Sequence, residues 1–197
     1  MPQIFSGARA SFASVGSLST AVRACESVAS LRHGVIGRHE AACAGLTEEA
    51  IARLVRSRQW RKLLPGAYLV GGAPLTWYSR LEAVQSWLGP MCLFSHRTAG
   101  ALLELDEVPS GFVEVAIPTA KRSAGVIVHR LGVGDHPRAR TAKGYRITSV
   151  ERTLLDLFAV LPQRRAELAM EDGLRRRLTS LDRLWNLYSR VGGRGRN

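Results

Sequence analysis

The chain has 197 residues, 46% of them hydrophobic and 22% charged, with a formal net charge of +12 in which arginine far outnumbers lysine. The length allows one large domain or two small ones with their own cores, and the composition is that of an ordinary globular protein. The surplus of positive charge favours a polyanionic partner, foremost nucleic acid, against the plain alternative of a genome rich in arginine codons.

Three widely spaced cysteines, Cys25, Cys43 and Cys92, exclude a disulfide framework or a zinc-finger pattern and suit a reducing cytoplasm, where they would act as small buried apolar residues. No apolar run approaches the roughly 20 residues that a membrane helix needs. Residues 1–18 lack a continuous apolar stretch, so no secretory signal is expected there. They are expected to be a disordered tail, or to follow from a start codon placed too far upstream.

A first helix is predicted from Ser19 or Thr20 to about Arg32, with Gly34 at its C-terminal cap. Val35-Ile36 is a minimal strand, and Arg38–Ala44 a short helix. Gly45-Leu46 turns the chain, and Gly45 tolerates the left-handed backbone that a tight helix–helix turn requires. Thr47 then caps a helix in which Glu48 and Glu49 favour the dipole. Ala50, Ile51, Leu54 and Val55 form its apolar stripe, while Arg53, Arg56 and Arg58 fall outside it. Trp60–Leu64, Pro65-Gly66 and Ala67–Val70 read as a hairpin with Arg61 and Lys62 on its first arm.

This order is that of a winged helix-turn-helix over residues 19–72. Its recognition helix would be Thr47–Ser57 and its wing Trp60–Val70. From Arg53 to Lys62 there are five basic residues and no acidic one. Neutralising phosphates with such a cluster releases counterions, and arginine can also read guanine in the major groove. The expected DNA-binding residues are therefore Thr47, Arg53, Arg56, Arg58, Arg61 and Lys62, and the expected partner is double-stranded DNA.

Gly71-Gly72-Ala73-Pro74 is a plausible hinge to a second domain over residues 73–197. There Thr76 caps a helix from Trp77 to Leu88, stopped by Gly89-Pro90. Met91–Phe94 is a strand, and Ser95 caps a helix through Leu105. Phe112–Ile117, Val126–Leu131 and Tyr145–Ile147 are strands. Ser149 caps Val150–Leu161, and Gln163–Leu178 and Ser180–Val191 are helices. The expected fold is α+β: a winged helix-turn-helix, then a small mixed α/β domain with C-terminal helices.

Catalytic patterns fail in turn. Ser95-His96-Arg97 suggests a nucleophile beside a base, but neighbours at a helix start cannot easily face each other; Ser95 is expected as an N-cap. His129, alone on a strand, is expected to be structural. No His or Cys pair has metal spacing, so a zinc site is not expected. Glu114 is followed by Ala116 where a PD-(D/E)xK nuclease needs lysine, and Lys121 lies too far on. The Gly-Ser and paired acids of a nucleotidyltransferase are missing, as is a phosphate-binding glycine loop; Gly132-Val133-Gly134-Asp135 is only a turn. Arg152 and Asp156 are expected to pair on the surface, worth tenths of a kcal/mol. Arg164, Arg165, Arg175, Arg176 and Arg177 are expected mostly as a solvated face. No enzymatic activity, cofactor or metal is expected.

Several motifs together resemble the AbiEi-type antitoxins. They are the Trp60–Tyr68 wing, Ala73-Pro74-Leu75-Thr76-Trp77, Phe94–Leu102, Val113–Pro118, Val128-His129-Arg130, Ile147–Leu157 and the closing Gly192-Gly193-Arg194-Gly195-Arg196. The chain resembles an actinobacterial branch in which such a domain often precedes a very-short-patch-repair-like endonuclease. The resemblance implies a cytoplasmic antitoxin of a type IV toxin–antitoxin system. Such a protein represses its own promoter through a winged helix on inverted repeats, usually as two copies on DNA. It also pairs with a nucleotidyltransferase-like toxin. Asn197 falls where the longer relatives' nuclease would begin, so the expectation includes a natural short form or a truncated one. The alternative function is the DNA-targeting half of such an endonuclease, without its catalytic domain.

Overall fold

A computed structural model describes residues 18–89, 92–118, 121–123, 125–131 and 138–191. The expected tail up to residue 17, Pro90, Met91, the Gly132–Asp135 turn and the closing Gly192–Arg196 motif lie outside the described residues. The fold is mixed α+β, with eight helices and two sheets among the described residues.

The N-terminal part contains α1 (Leu18–Ser30), β1 (Val35–Gly37), α2 (Arg38–Cys43), α3 (Glu48–Arg56), β2 (Arg61–Leu64) and β3 (Ala67–Leu69). The strands form an antiparallel sheet in the order β1-β3-β2. Thr47 caps α3 by accepting a hydrogen bond from the Ala50 N–H at 3.2 Å. Gly45 (φ 93°) and Gly66 (φ 74°) take the left-handed backbone at the two turns.

Strand alternation divides this sheet between two cores. Ile36, Tyr68 and Val70 pack with Cys25, Ala29, Ile51, Leu54 and Trp60 under the helices. Val35, Ala67 and Leu69 face the other way and join the core of the rest of the chain. There they meet α4 (Trp77–Leu88), whose Leu81 and Val84 are buried. Thr76 and Ser79 close a reciprocal capping box at the start of α4.

A polar bridge crosses the same helix. Arg32, just after α1, donates to Glu82 on α4 at 3.0 Å and to Glu40 on α2 at 2.6 Å. Glu82 also accepts from the Tyr145 hydroxyl at 2.8 Å.

Beyond α4 come β4 (Leu93–Phe94), α5 (His96–Leu102), β5 (Glu114–Ile117), β6 (Ile127–Arg130), β7 (Ala139–Ala142), β8 (Tyr145–Thr148), α6 (Val150–Leu157), α7 (Gln163–Arg175) and α8 (Leu181–Val191). The second sheet has the order β6-β5-β4-β8-β7 and is mixed: β4 pairs antiparallel with β5 and parallel with β8, and β5 pairs parallel with β6.

Several elements differ from expectation. The strand β7 is additional; its Ala-Arg-Thr-Ala sequence is exposed on an edge and lacks apolar alternation. The helix after Ser95 stops at Leu102, where Glu104 (φ 54°) turns left-handed and the Leu105 N–H returns to the Gly100 carbonyl. The helix after Ser149 ends at Leu157, followed by tighter turns before Pro162. Cys25 and Cys92 are buried as expected, but Cys43 is exposed at the end of α2.

Arg164, Arg175, Arg176 and Arg177 are exposed, the solvated face expected of them, yet several of these arginines are also engaged. Arg175 and Arg176 both pair with buried Asp172, and Arg176 donates to the Leu103 and Glu104 carbonyls, tying α7 to the turn after α5. Arg165 pairs with Glu107 and Arg164 with Glu167.

Because the part-buried pair of Arg32 and Glu82 ties the end of α1 to α4, Arg32→Ala should lower the unfolding free energy by about 2 kcal/mol. Urea unfolding followed by tryptophan fluorescence checks this: the midpoint should fall while one cooperative transition remains.

Candidate functional site

Two regions gather the charged and ligand-type side chains singled out above. The first is the outer surface of α3 and the strand after it. Ile51 and Leu54 are buried, with Ala50 and Val55 packed beside them, so the apolar stripe faces inward as its spacing requires. Arg53, Arg56, Arg58, Arg61 and Lys62 are all exposed. None of the five forms a salt bridge among the described residues.

Arg58 (φ 59°) occupies the turn that ends α3, and its N–H returns to the Val55 carbonyl. Arg61 and Lys62 stand on β2, an edge strand whose far side is unpaired among the described residues. At the opposite end of α3, exposed Glu48 pairs with Arg38 at 3.1 Å, which blunts its repulsion of an approaching anion. Thr47 is exposed, but its side chain is engaged in the helix cap.

The second region lies where α5 begins, against β5 and β6. Glu114 is fully buried. Arg97 binds it with its guanidinium, through Nε and Nη2, and with its backbone N–H at 3.1 Å to Oε2. The Phe112 ring covers the guanidinium carbon of Arg97 at 3.8 Å. Parallel pairing sets Glu114 opposite Ile127 and Ala116 opposite His129, so Glu114 and His129 share one face of the sheet. His129 Nε2 lies 3.5 Å from Glu114 Oε2.

His96 stacks on His129, with ring centroids 3.4 Å apart and planes 13° from parallel. Burial pushes the His96 imidazole from 6.5 down to about 4, and stacked His129 and nearby Arg152 act in the same direction against the carboxylates of Asp156 and Glu114. Burial pushes the Glu114 carboxyl up, but His129 and the hydrogen bonds from Arg97 outweigh it and hold the group below its usual range.

Three expectations are corrected here. Ser95 holds the N-cap position of α5, yet its side chain caps no backbone N–H; Ser95 Oγ lies 3.0 Å from His96 Nδ1. These neighbours face each other because His96 has a left-handed backbone (φ 49°) rather than ordinary helical geometry. Arg152 and Asp156 pair at 2.8 Å with only 11% and 1% of their side chains exposed, so this is an interior ion pair, not a surface one. Finally, local spacing offered no metal-ligating set, whereas folding assembles His96, Glu114 and His129 from three elements, with one ligand-type atom of each within 4.8 Å of the others.

The sequence did contain a signal for this cluster. A glutamate inside Phe112–Ile117, flanked by Val113 and Val115, sits where a strand is buried on both faces and must be neutralised by something.

The depressed His96 pKa fixes a pH dependence. Unfolded His96 takes a proton below about 6.5, whereas folded His96 stays neutral until about 4. The stability contributed by neutral burial is complete above the unfolded value and is lost as pH falls through that window, about 3 kcal/mol in all. Glu114 adds to the loss at lower pH, because its folded pKa is also depressed. In chelator-treated buffer the melting temperature should drop between pH 6.5 and pH 4, and His96→Asn should flatten the drop.

Comparison of the chain with protein-family models and with curated proteins found no match.

Proposed function

We propose that the chain is a DNA-binding, antitoxin-like transcriptional repressor, with α2, α3 and the β2–β3 hairpin acting as a winged helix-turn-helix. The observation that carries this is the set of five exposed cations on α3 and β2 with no acidic partner among the described residues. Arg32, Arg38, Arg97, Arg152, Arg165, Arg175 and Arg176 each face a carboxylate, whereas exposed Arg23, Arg80, Arg140, Arg183 and Arg190 do not among the described residues. What sets the five apart is that they cluster within ten residues on adjoining elements. Unpaired guanidinium groups gain most from phosphates, since no internal ion pair has to break first.

In this reading α3 enters the major groove and Arg53 and Arg56 reach phosphates or guanine edges. Arg61 and Lys62 on β2 hold the flanking backbone, with Arg58 between the two elements. Thr47 fixes the start of α3 rather than contributing a free hydroxyl, because its oxygen already accepts the Ala50 N–H. The order of motifs that resembles AbiEi-type antitoxins supports autorepression of a type IV toxin–antitoxin operon in the cytoplasm, two copies on an inverted repeat, and a nucleotidyltransferase-like toxin as partner.

Arg53→Ala combined with Arg56→Ala should weaken binding to the upstream promoter duplex and reduce the slope of log affinity against log salt by about 2. Fluorescence anisotropy across a salt series measures both; unchanged affinity and slope would sink the DNA reading. The antitoxin assignment is tested separately by co-expression with the neighbouring gene product. A complex on pull-down and relief of toxicity are expected, and neither appearing would remove that role.

A further inference from the structure

We propose that His96, Glu114 and His129 form a binding site for a divalent first-row transition-metal ion such as zinc, independent of the basic surface on α3. The first support is convergence: two imidazoles and one carboxylate, from the start of α5, from β5 and from β6, bring one donor atom each within 4.8 Å of the others. The second is an orphan. His129 Nε2 is buried and makes no hydrogen bond among the described residues, although Glu114 Oε2 is 3.5 Å away. At that separation the nitrogen has a carboxylate neighbour but no well-formed hydrogen bond, and a metal ion fits between an imidazole and a carboxylate.

The surroundings orient the donors. With Nδ1–H of His96 donating to Ser95 Oγ across their 3.0 Å separation, the lone pair falls on Nε2, which becomes the ligand atom. Glu114 Oε1 is taken by the Arg97 guanidinium, so the carboxylate offers Oε2 and binds through one oxygen. The Arg97 backbone N–H steadies that same Oε2. The left-handed backbone of His96, costly for a residue with a side chain, is what turns its imidazole onto His129 rather than outward along the helix. The His129 side chain remains 26% exposed, which leaves an entry path to a carboxylate that is otherwise sealed.

The donor set selects the ion. Calcium and magnesium take mostly oxygen ligands, whereas two imidazoles with one carboxylate suit zinc, cobalt, nickel or iron. Three protein ligands leave at least one coordination position for water or another small ligand. Ligands of one ion at about 2.1 Å lie roughly 3.4 Å apart. The donors therefore close up on binding and the stacked rings tilt out of parallel. The charges of Glu114 and Asp156 are balanced by Arg97 and Arg152, so the site holds no excess of negative charge. Affinity rests on the imidazole nitrogens.

The experiment uses the full chain, freed of metal, with cobalt(II) as a spectroscopic probe and zinc(II) as its competitor. A second pair, Cys43 Sγ and His39 Nε2 at 3.7 Å on the exposed face of α2, would bind soft ions adventitiously, so Cys43→Ser is titrated in parallel. One cobalt per chain is expected, with the visible d–d absorption of low-coordinate cobalt, displaced by zinc and unaltered in Cys43→Ser. His129→Gln, chosen because His129 is the least buried of the three ligands, should weaken binding at least roughly tenfold with an unchanged circular dichroism spectrum. Zinc should also shift the imidazole nitrogen resonances of His96 and His129 in the wild-type chain, a readout that needs no variant. Absence of the d–d band, loss of it in Cys43→Ser, equal affinity in a folded His129→Gln, or unmoved imidazole resonances would each overturn the site.

Discussion

A fully buried carboxylate governs the second half of this chain. Glu114 has no exposed surface, and an ionised carboxyl placed there alone would be prohibitively costly. The residues around it are arranged to keep it charged. Arg97 supplies a guanidinium and a backbone N–H, and Phe112 shields the guanidinium face. The backbone is fixed as firmly: the Ser95 N–H donates to the Glu114 carbonyl at 3.0 Å, and the Glu114 N–H donates to Thr98 Oγ1 at 2.8 Å. These bonds lock the first turn of α5 to the start of β5. His96 lies between the locked residues and is forced into its unusual backbone conformation, while the parallel register of β6 brings His129 in from the other side.

The same accounting of charge distinguishes the basic surface from the interior ion pairs. A net charge of +12 says only that cations exceed anions. In the folded chain, the arginines of α6 and α7 are largely spent on carboxylates such as Asp156 and Asp172, where they hold helices to their neighbours. The cations of α3 and β2 have no such duty. Arg61 and Lys62 also line a strand edge that is unpaired among the described residues, where positive charge discourages pairing with another sheet. Nucleic-acid contact and protection of the edge are thus compatible uses of the same side chains.

What was legible in the sequence was local. Thr47 and Thr76 announce helix starts because a cap is satisfied within three residues. Pro65-Gly66 announces the hairpin because turn chemistry lies in the turn itself, and the stripe of Ile51 and Leu54 announces which face of α3 is buried. What escaped depends on pairing between distant segments. The strand β7 has little in its sequence to mark it and exists because β8 offers it a partner. Arg152 and Asp156 have the spacing of a surface pair, and nothing within that spacing says that the rest of the domain will cover them. His96, Glu114 and His129 meet only after a parallel strand pairing has been chosen, which no local pattern encodes.

The helix α4 has a mechanical consequence. It shares a core with one face of the three-stranded sheet, and its Glu82 is held by Arg32 on one side and Tyr145 on the other. The basic surface is therefore joined to the second sheet through packed contacts rather than carried on a loose tether. A duplex lying along α3 would see the rest of the molecule at one azimuth around its axis. Were two copies to bind an inverted repeat, that azimuth would make half-site spacing a matter of helical phase: adding half a turn of DNA would swing the second copy to the opposite side of the duplex, where no linker could bend to bring the two C-terminal halves back together.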